Sequence, residues 1–328
     1  MKYFNYILFT IFTSFMIFGS FANAAETHPK TGEKLSSEQT FTYWHLDEHS
    51  SIDPQIVEDV SGSDIVRNLF EGLMNQDADG NLVPGVATSF TTNESKDVYT
   101  FNLREDAKWS NGDSVTAHDF VYAWQRAVDP STASPYSWFM EIMSIQNGGA
   151  IISGEKQPSD LGVKALDDFT LEVTLSASLP YFAFMVTHAT TFPTHKKSVE
   201  THGADWTKPQ NIVSNGAYIL SEHVINERVV LLRNPNYWDN KNTILEQVTA
   251  LVINSEDQGL IRYLAGELDK GPIPAGQFKR LKQKYPDEAV SFPRLCNYYY
   301  TFNLSPSGLA AFKDVRIRKA MSYAIDRN

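Results

Sequence analysis

One cysteine, Cys296, stands in 328 residues, so no disulfide framework is available within the sequence as written. Basic residues are also scarce: 28 Lys and Arg face 39 Asp and Glu, a net charge of −11. Such a field repels nucleic acid and anionic membrane, and it excludes both as general partners. Catalytic signatures are missing as well. There is no G-x-S-x-G, no glycine-rich phosphate loop and no C-x-x-C, and the single Cys has no His in a family-typical context. Carboxylates abound, but sequence alone pairs no two of them across a cleft, so acid–base catalysis has no support. Internal repeats, low-complexity tracts and heptad arrays are absent too.

The first residues, MKYFNYILFTIFTSFMIFGSFANA, carry one early Lys, an apolar stretch from Ile7 to Phe18 and an A-x-A site at Ala22-Asn23-Ala24. This is a secretory signal peptide, with cleavage expected after Ala24. The stretch is interrupted by Thr10, Thr13 and Ser14 and falls short of the roughly 20 apolar residues of a membrane span. No Cys near the cleavage point offers a lipid anchor. Removal of residues 1–24 takes away only Lys2 and leaves an acidic, exported chain of net charge −12. In an oxidising compartment an unpaired Cys296 reads as a free thiol, an intermolecular bridge, a buried inert thiol or one half of a pair whose partner lies outside this sequence.

The length fits about two domains. The segment TFTYW alternates as a strand; DIVRNLFEGL places Ile65, Val66, Leu69 and Phe70 on one helical face. DVYTFNLRE sets Tyr99, Phe101 and Leu103 on one strand face, WSNGD supplies an Asn-Gly turn, and TAHD is a capping box opening FVYAWQRAV. VKALDDFTLEVTLS reads as two strands about an Asp-Asp turn, ERVVLLRNPNYW as a strand stopped by Asn-Pro, and LEQVTALVI as another strand. DQGLIRYLAGELD and AGQFKRLKQKYPD are short helices, CNYYYTFNL is strand-like, and Asp314 caps a closing helix whose stripe is Ile317, Ala320, Met321, Ala324 and Ile325. Strands and helices mix without a strict βαβ period, so the class is mixed α/β. The closing stripe has nothing after it to pack on, and the expectation is that the text is incomplete.

HLDEH, at His45, Glu48 and His49, matches the H-x-x-E-H zinc pattern, which requires both His on one face of a helix. Here it lies between a strand-like segment and a turn at Pro54, too short a space for a helix, so a polar loop is expected.

The stretch YTFNLREDAKWSNGDSVTAHDFVYAWQRAVDPSTASPY strongly resembles the oligopeptide-binding proteins of bacterial ABC importers, solute-binding protein family 5. The likeness extends through SIDPQIVEDVSGSDIVRNLFEGL and GNLVPGVATSF before it. After it come LGVKALDDFTLEVTLS, NIVSNGAYIL, NERVVL, NPNYWDN, RYLAGELD and CNYYYTFN. The resemblance implies a type II periplasmic-binding-protein fold of two main lobes with an inserted small lobe. Residues 25–70 and 196–295 would form lobe I, 71–195 the small lobe II, and 296–328 the start of an incomplete third lobe. It also implies a periplasmic, monomeric receptor that takes short peptides to a permease and its ATPase subunits, with no cofactor, metal or catalytic group. A murein-peptide-binding relative of the same fold is a variant of this reading.

Residue by residue, the resemblance makes Glu58 and Val60 part of the peptide-lining segment, Tyr136 a ring covering the peptide, and Glu256 and Tyr299 further site residues. Four of the five have an ordinary alternative: a solvated acid for Glu58, core packing for Tyr136, a helix cap for Glu256, and an alternating strand for Tyr299. Cys296 matches a cysteine that is disulfide-bonded in some members, with a partner absent from this chain. The text KGPIPAGQF departs from a family stretch that hydrogen-bonds the peptide, since Pro272 and Pro274 fix φ and donate no N–H. With lobe III mostly missing, weak or no peptide binding is expected of these 328 residues alone. The competing readings are a secreted zinc hydrolase using His45, Glu48 and His49, and a truncated gene product without function.

Overall fold

The computed structural model describes residues 26–292 and 299–326. They fall into two compact units, 1–274 and 275–328. In the first, β1 (Thr40–His45) leads through a loop to α1 (Val60–Leu69), where Asp59 caps the helix by accepting from the Gly62 N–H at 2.7 Å. Ile65, Val66, Leu69 and Phe70 are all buried, as their helical spacing predicts.

The chain then builds a hairpin of β2 (Met74–Gln76) and β3 (Leu82–Pro84), followed by β4 (Ala87–Thr92) and β5 (Val98–Leu103). Next come α2 (Ala117–Val128) and the short helices α3 (Ser137–Ile142) and α4 (Gly148–Ile152). The hairpin of β6 (Val163–Asp167) and β7 (Thr170–Thr174) completes an antiparallel sheet of order β4-β5-β7-β6. Tyr99, Phe101 and Leu103 turn inward from β5, and α2 lays Phe120, Ala123, Trp124 and Ala127 into the same core. Thr116 and Asp119 form the expected capping box at the start of α2.

After α5 (Phe182–Met185) and α6 (Lys196–His202) the chain returns to the first sheet with β8 (Tyr218–Val224), β9 (Arg228–Arg233) and β10 (Gln247–Val252). The order is β1-β10-β9-β8: a meander with β1 added parallel to β10, His45 opposite Val252. The outgoing and returning chains are tied at a neck. Asn215 and Glu71 exchange two amide hydrogen bonds, and the Gly216 N–H donates to the Leu69 carbonyl at 2.8 Å. A Cβ on Gly216 would lie 2.6 Å from the Leu69 backbone, so the two passes touch directly. β10 is followed by α7 (Glu256–Leu264). Asp269 and Lys270 then make a brief parallel bridge to β1 that stops before Pro272, as the missing N–H donors require.

The second unit carries α8 (Phe278–Lys284) and α9 (Val315–Tyr323), the latter capped by Asp314 as expected. Ile317 and Met321 of its apolar stripe are exposed. Over the described part of CNYYYTFNL the expected strand is not found: 299–304 is irregular, and alternation makes a strand only where a second segment takes its backbone hydrogen bonds. Cys296, the disulfide expected of it, and the cleavage site after Ala24 lie outside the described residues.

Candidate functional site

In open α/β sheets, ligands are bound beyond the carboxyl ends of the strands. The parallel pair β1 and β10 ends on one side; the loop after β1 carries Glu58, and the short connection after β10 leads to Glu256 at the start of α7. These loops are linked: the Asn254 amide donates to the Leu46 carbonyl at 3.0 Å and to Asp47 Oδ1 at 3.3 Å. Trp44 at the end of β1 donates its indole N–H to the Ile253 carbonyl at 2.9 Å.

The loop before α1 is fixed by a buried polar network. Arg126 of α2 grips Asp53 through both carboxylate oxygens, at 2.8 and 2.6 Å, and donates to Gln55 Oε1 at 2.9 Å. The Trp206 indole adds a third donor to Asp53 at 3.1 Å. The Gln55 amide reaches the carbonyls of Thr190 and Phe192, at 3.2 and 3.0 Å, while the Gln55 carbonyl accepts from Ser134 Oγ at 2.6 Å. Gln55 therefore stitches the loop carrying Glu58 to three separate segments of the chain between α1 and β8, one of which carries Tyr136. A buried side chain satisfied this fully is rigid, and it presents its neighbours in one arrangement.

Tyr136 is half-buried, not part of the closed core. Its ring lies 5.6 Å from Trp138 and 4.9 Å from His188, and Phe139 lies 4.4 Å from His188. Trp138 is 51% exposed, so this aromatic cluster keeps an open face. Burial, together with the nearby Arg67 charge, pushes His188 down to about 4, leaving its ring neutral near pH 7. Arg67, on α1, donates to the Thr187 carbonyl at 3.3 Å.

The five residues singled out by sequence are thus distributed unevenly. Glu58, on the loop that Gln55 holds, and Val60, the first residue of α1, are both exposed, Val60 at 69%. Tyr136 follows Ser134, the residue bonded to Gln55. Glu256 is exposed at the first turn of α7, whose cap is Ser255, so it does not cap the helix itself. Tyr299 lies in the second unit and is 75% exposed. Sequence reasoning missed Gln55, Trp138 and His188. The turn residues Asp53-Pro54 marked the place, but the partners of Gln55 are 71 to 137 residues away.

The H-x-x-E-H segment forms no helix, as its length suggested, but it is not a solvated polar loop either. His45 ends β1 and His49 is tucked into the fold, both buried. Glu48 is in contact with His49 and with His223 of β8, at 3.3 and 2.7 Å, whereas the His45 ring packs edge-on against Tyr43. Burial alone would raise Glu48; the Asn226 N–H, His223 and the two imidazoles hold it below the usual carboxylate range instead. The zinc-hydrolase trio is therefore not assembled.

Comparison with known proteins agrees with this architecture. The family description "Bacterial extracellular solute-binding proteins, family 5 Middle" matches residues 81–328. The periplasmic oligopeptide-binding protein OppA of Salmonella typhimurium is 47% identical over 95% of this chain and 57% of its own length. Among solved structures, the murein tripeptide binding protein MppA of Escherichia coli superposes with a TM-score of 0.86 at 42% identity, over 89% of this chain and 57% of that one. OppA of Haemophilus influenzae, in complex with the peptide RPPGFSPFR, gives 0.74 at 42% identity over 76% and 49%. The chain spans about half the length of these relatives, 49–57%. The shared architecture is that of the type II periplasmic binding proteins, and nothing in these relatives supports a hydrolase.

Proposed function

Because the chain belongs to family 5 of the bacterial extracellular solute-binding proteins, we propose that it is part of an extracytoplasmic receptor that binds short peptides and hands them to an ABC importer. The observation that carries this reading is the 47% identity to an oligopeptide-binding protein across almost the whole chain. Within the first unit the site residues are Glu58, Val60, Tyr136 and Glu256, with Trp138 extending the aromatic wall; Tyr299, in the second unit, is assigned by the family resemblance alone. An extended peptide would be held mainly by backbone hydrogen bonds, its side chains lying in roomy, hydrated space; this gives affinity without demanding a sequence. The aromatic face of Tyr136 and Trp138 suits apolar side chains, and Glu58 and Glu256 suit basic groups or bridging water.

The receptor acts without catalysis, as a monomer in the periplasm, with a permease and ATPase subunits as partners. Residues 25–70 and 196–295 make lobe I, 71–195 the inserted lobe and 296–328 the start of a third. The neck at Leu69–Glu71 and Asn215–Gly216 supports an insertion of this kind. Closure of lobes on a ligand presents a new surface for the permease to recognise. The test is calorimetric titration with tri- and tetrapeptides of the protein expressed from its own gene. Tyr136→Ala is expected to weaken binding at least tenfold with little change in melting temperature. Unchanged affinity in both Tyr136→Ala and Glu58→Ala would remove these residues from the site.

A further inference from the structure

The cluster of Glu48, His49 and His223 plays no part in the peptide reading. Two of its members come from the loop after β1 and the third from β8, 175 residues beyond Glu48. One ligand atom from each lies within 4.8 Å of the other two. Glu48 Oε1 is 2.7 Å from His223 Nε2 and 3.3 Å from His49 Nδ1, and the two imidazoles lie 4.6 Å apart, tilted by 34°. Ligand atoms around a tetrahedral zinc, each about 2.0–2.2 Å from the metal, are separated by roughly 3.4 Å. The Glu48–His49 distance of 3.3 Å matches that value, and the shorter 2.7 Å to His223 is a direct hydrogen bond that an ion entering between the two atoms would lengthen.

The surroundings also favour a metal. The second carboxylate oxygen, Oε2, accepts the Asn226 N–H at 2.6 Å, which fixes the carboxylate and leaves Oε1 for the imidazoles. Outer bonds of this sort orient metal ligands. His49 is buried, so its ring has few orientations to choose from. Two imidazoles and one carboxylate are the donor set of a borderline cation, with a fourth position open to water.

We propose that Glu48, His49 and His223 form a binding site for a zinc-class divalent cation, which pins the loop after β1 to β8. The ion would fasten at one end the same loop that Gln55 and Asp53 fasten at the other. The site is a clip, not the H-x-x-E-H hydrolytic centre, since His45 packs edge-on against Tyr43 and is not one of the three grouped residues. Nothing in this inference depends on peptide binding.

The test is calorimetric titration of zinc chloride into the purified, chelator-dialysed protein, with melting temperature followed in parallel. One equivalent is expected to bind and to raise the melting temperature. His49→Gln and His223→Gln should each lose at least tenfold in affinity, and Glu48→Gln provides a third variant should either imidazole prove necessary for folding. Cys296→Ser and the exposed His118→Gln are expected to bind as the wild type does. Absence of saturable binding at one equivalent would overturn the site, as would unchanged affinity in the His49 and His223 variants. Loss of binding in Cys296→Ser alone would place the ion elsewhere and also overturn it.

Discussion

Removing the Asp53 carboxylate would leave the Arg126 guanidinium buried with its charge unmatched, since the two side chains are only 6% and 16% exposed. Breaking a buried pair from one side costs about 3–5 kcal/mol, so Asp53→Ala is expected to lower unfolding stability by roughly that amount in denaturant titration. A change below about 1 kcal/mol, the range of surface pairs, would show that the network is not structural. His188 gives a pH prediction. Its folded value, about 4, lies below the ordinary 6.5, so between these values the unfolded state binds more protons. Stability from this residue is therefore present above pH 6.5 and falls as pH drops from 6.5 to 4, by on the order of 3 kcal/mol. His188→Gln should flatten the stability profile across that window; a profile of unchanged slope would contradict the assignment. Neither residue announced itself in the sequence. Asp53 read as a turn residue and His188 as one histidine among eight, because burial and partners arise from segments brought together only by the fold.

At the scale of elements, the loop before α1 rests on a glycine. A Cβ on Gly62 would lie 2.4 Å from the Ser51 carbonyl oxygen and 2.7 Å from Val57 Cγ2, so the helix and its preceding loop are in direct backbone contact. Alanine in a helix gains about 1 kcal/mol over glycine, but overpacking of this kind costs about 1–3 kcal/mol. Gly62→Ala is expected to be destabilising on balance, by on the order of 1 kcal/mol in chemical denaturation; stabilisation would mean that the loop yields freely. Local elements were largely legible. The inward face of α1, the alternation of β5, the capping box at Thr116 and the Asp314 cap all follow from short-range rules, and each is present. The tyrosine run at 299–304 shows the limit of such rules. Its alternation satisfies the pattern of a strand, but a strand is a property of two segments, and residues 299–304 are irregular. The H-x-x-E-H segment shows the converse. Its context excluded a helix, but no local rule could place His223 beside Glu48 and His49.

The whole molecule is explained by a discontinuous sheet. β1 pairs with β10 across two hundred residues, and the intervening chain builds a second sheet before returning through the neck at Asn215 and Gly216. This topology sends the loop bearing Glu58 and the connection leading to Glu256 off the same end of the first sheet, and Gln55 joins the former to the segment between α1 and β8 that bears Tyr136. Pairing over such separations leaves no local mark in the sequence, whereas resemblance to a family captures it at once. The proposed site residues come from that resemblance, and hydrogen bonds link the segments that carry Glu58, Tyr136 and Glu256. The most direct test of the central claim is the tri- and tetrapeptide titration of the protein expressed from its own gene, with the peptide recovered afterwards and weighed by mass spectrometry. The account predicts one peptide bound per chain, with a dissociation constant of about 1 µM or tighter and the peptide recovered intact. Absence of binding to any member of a diverse peptide set, or recovery of cleaved peptide, would contradict it.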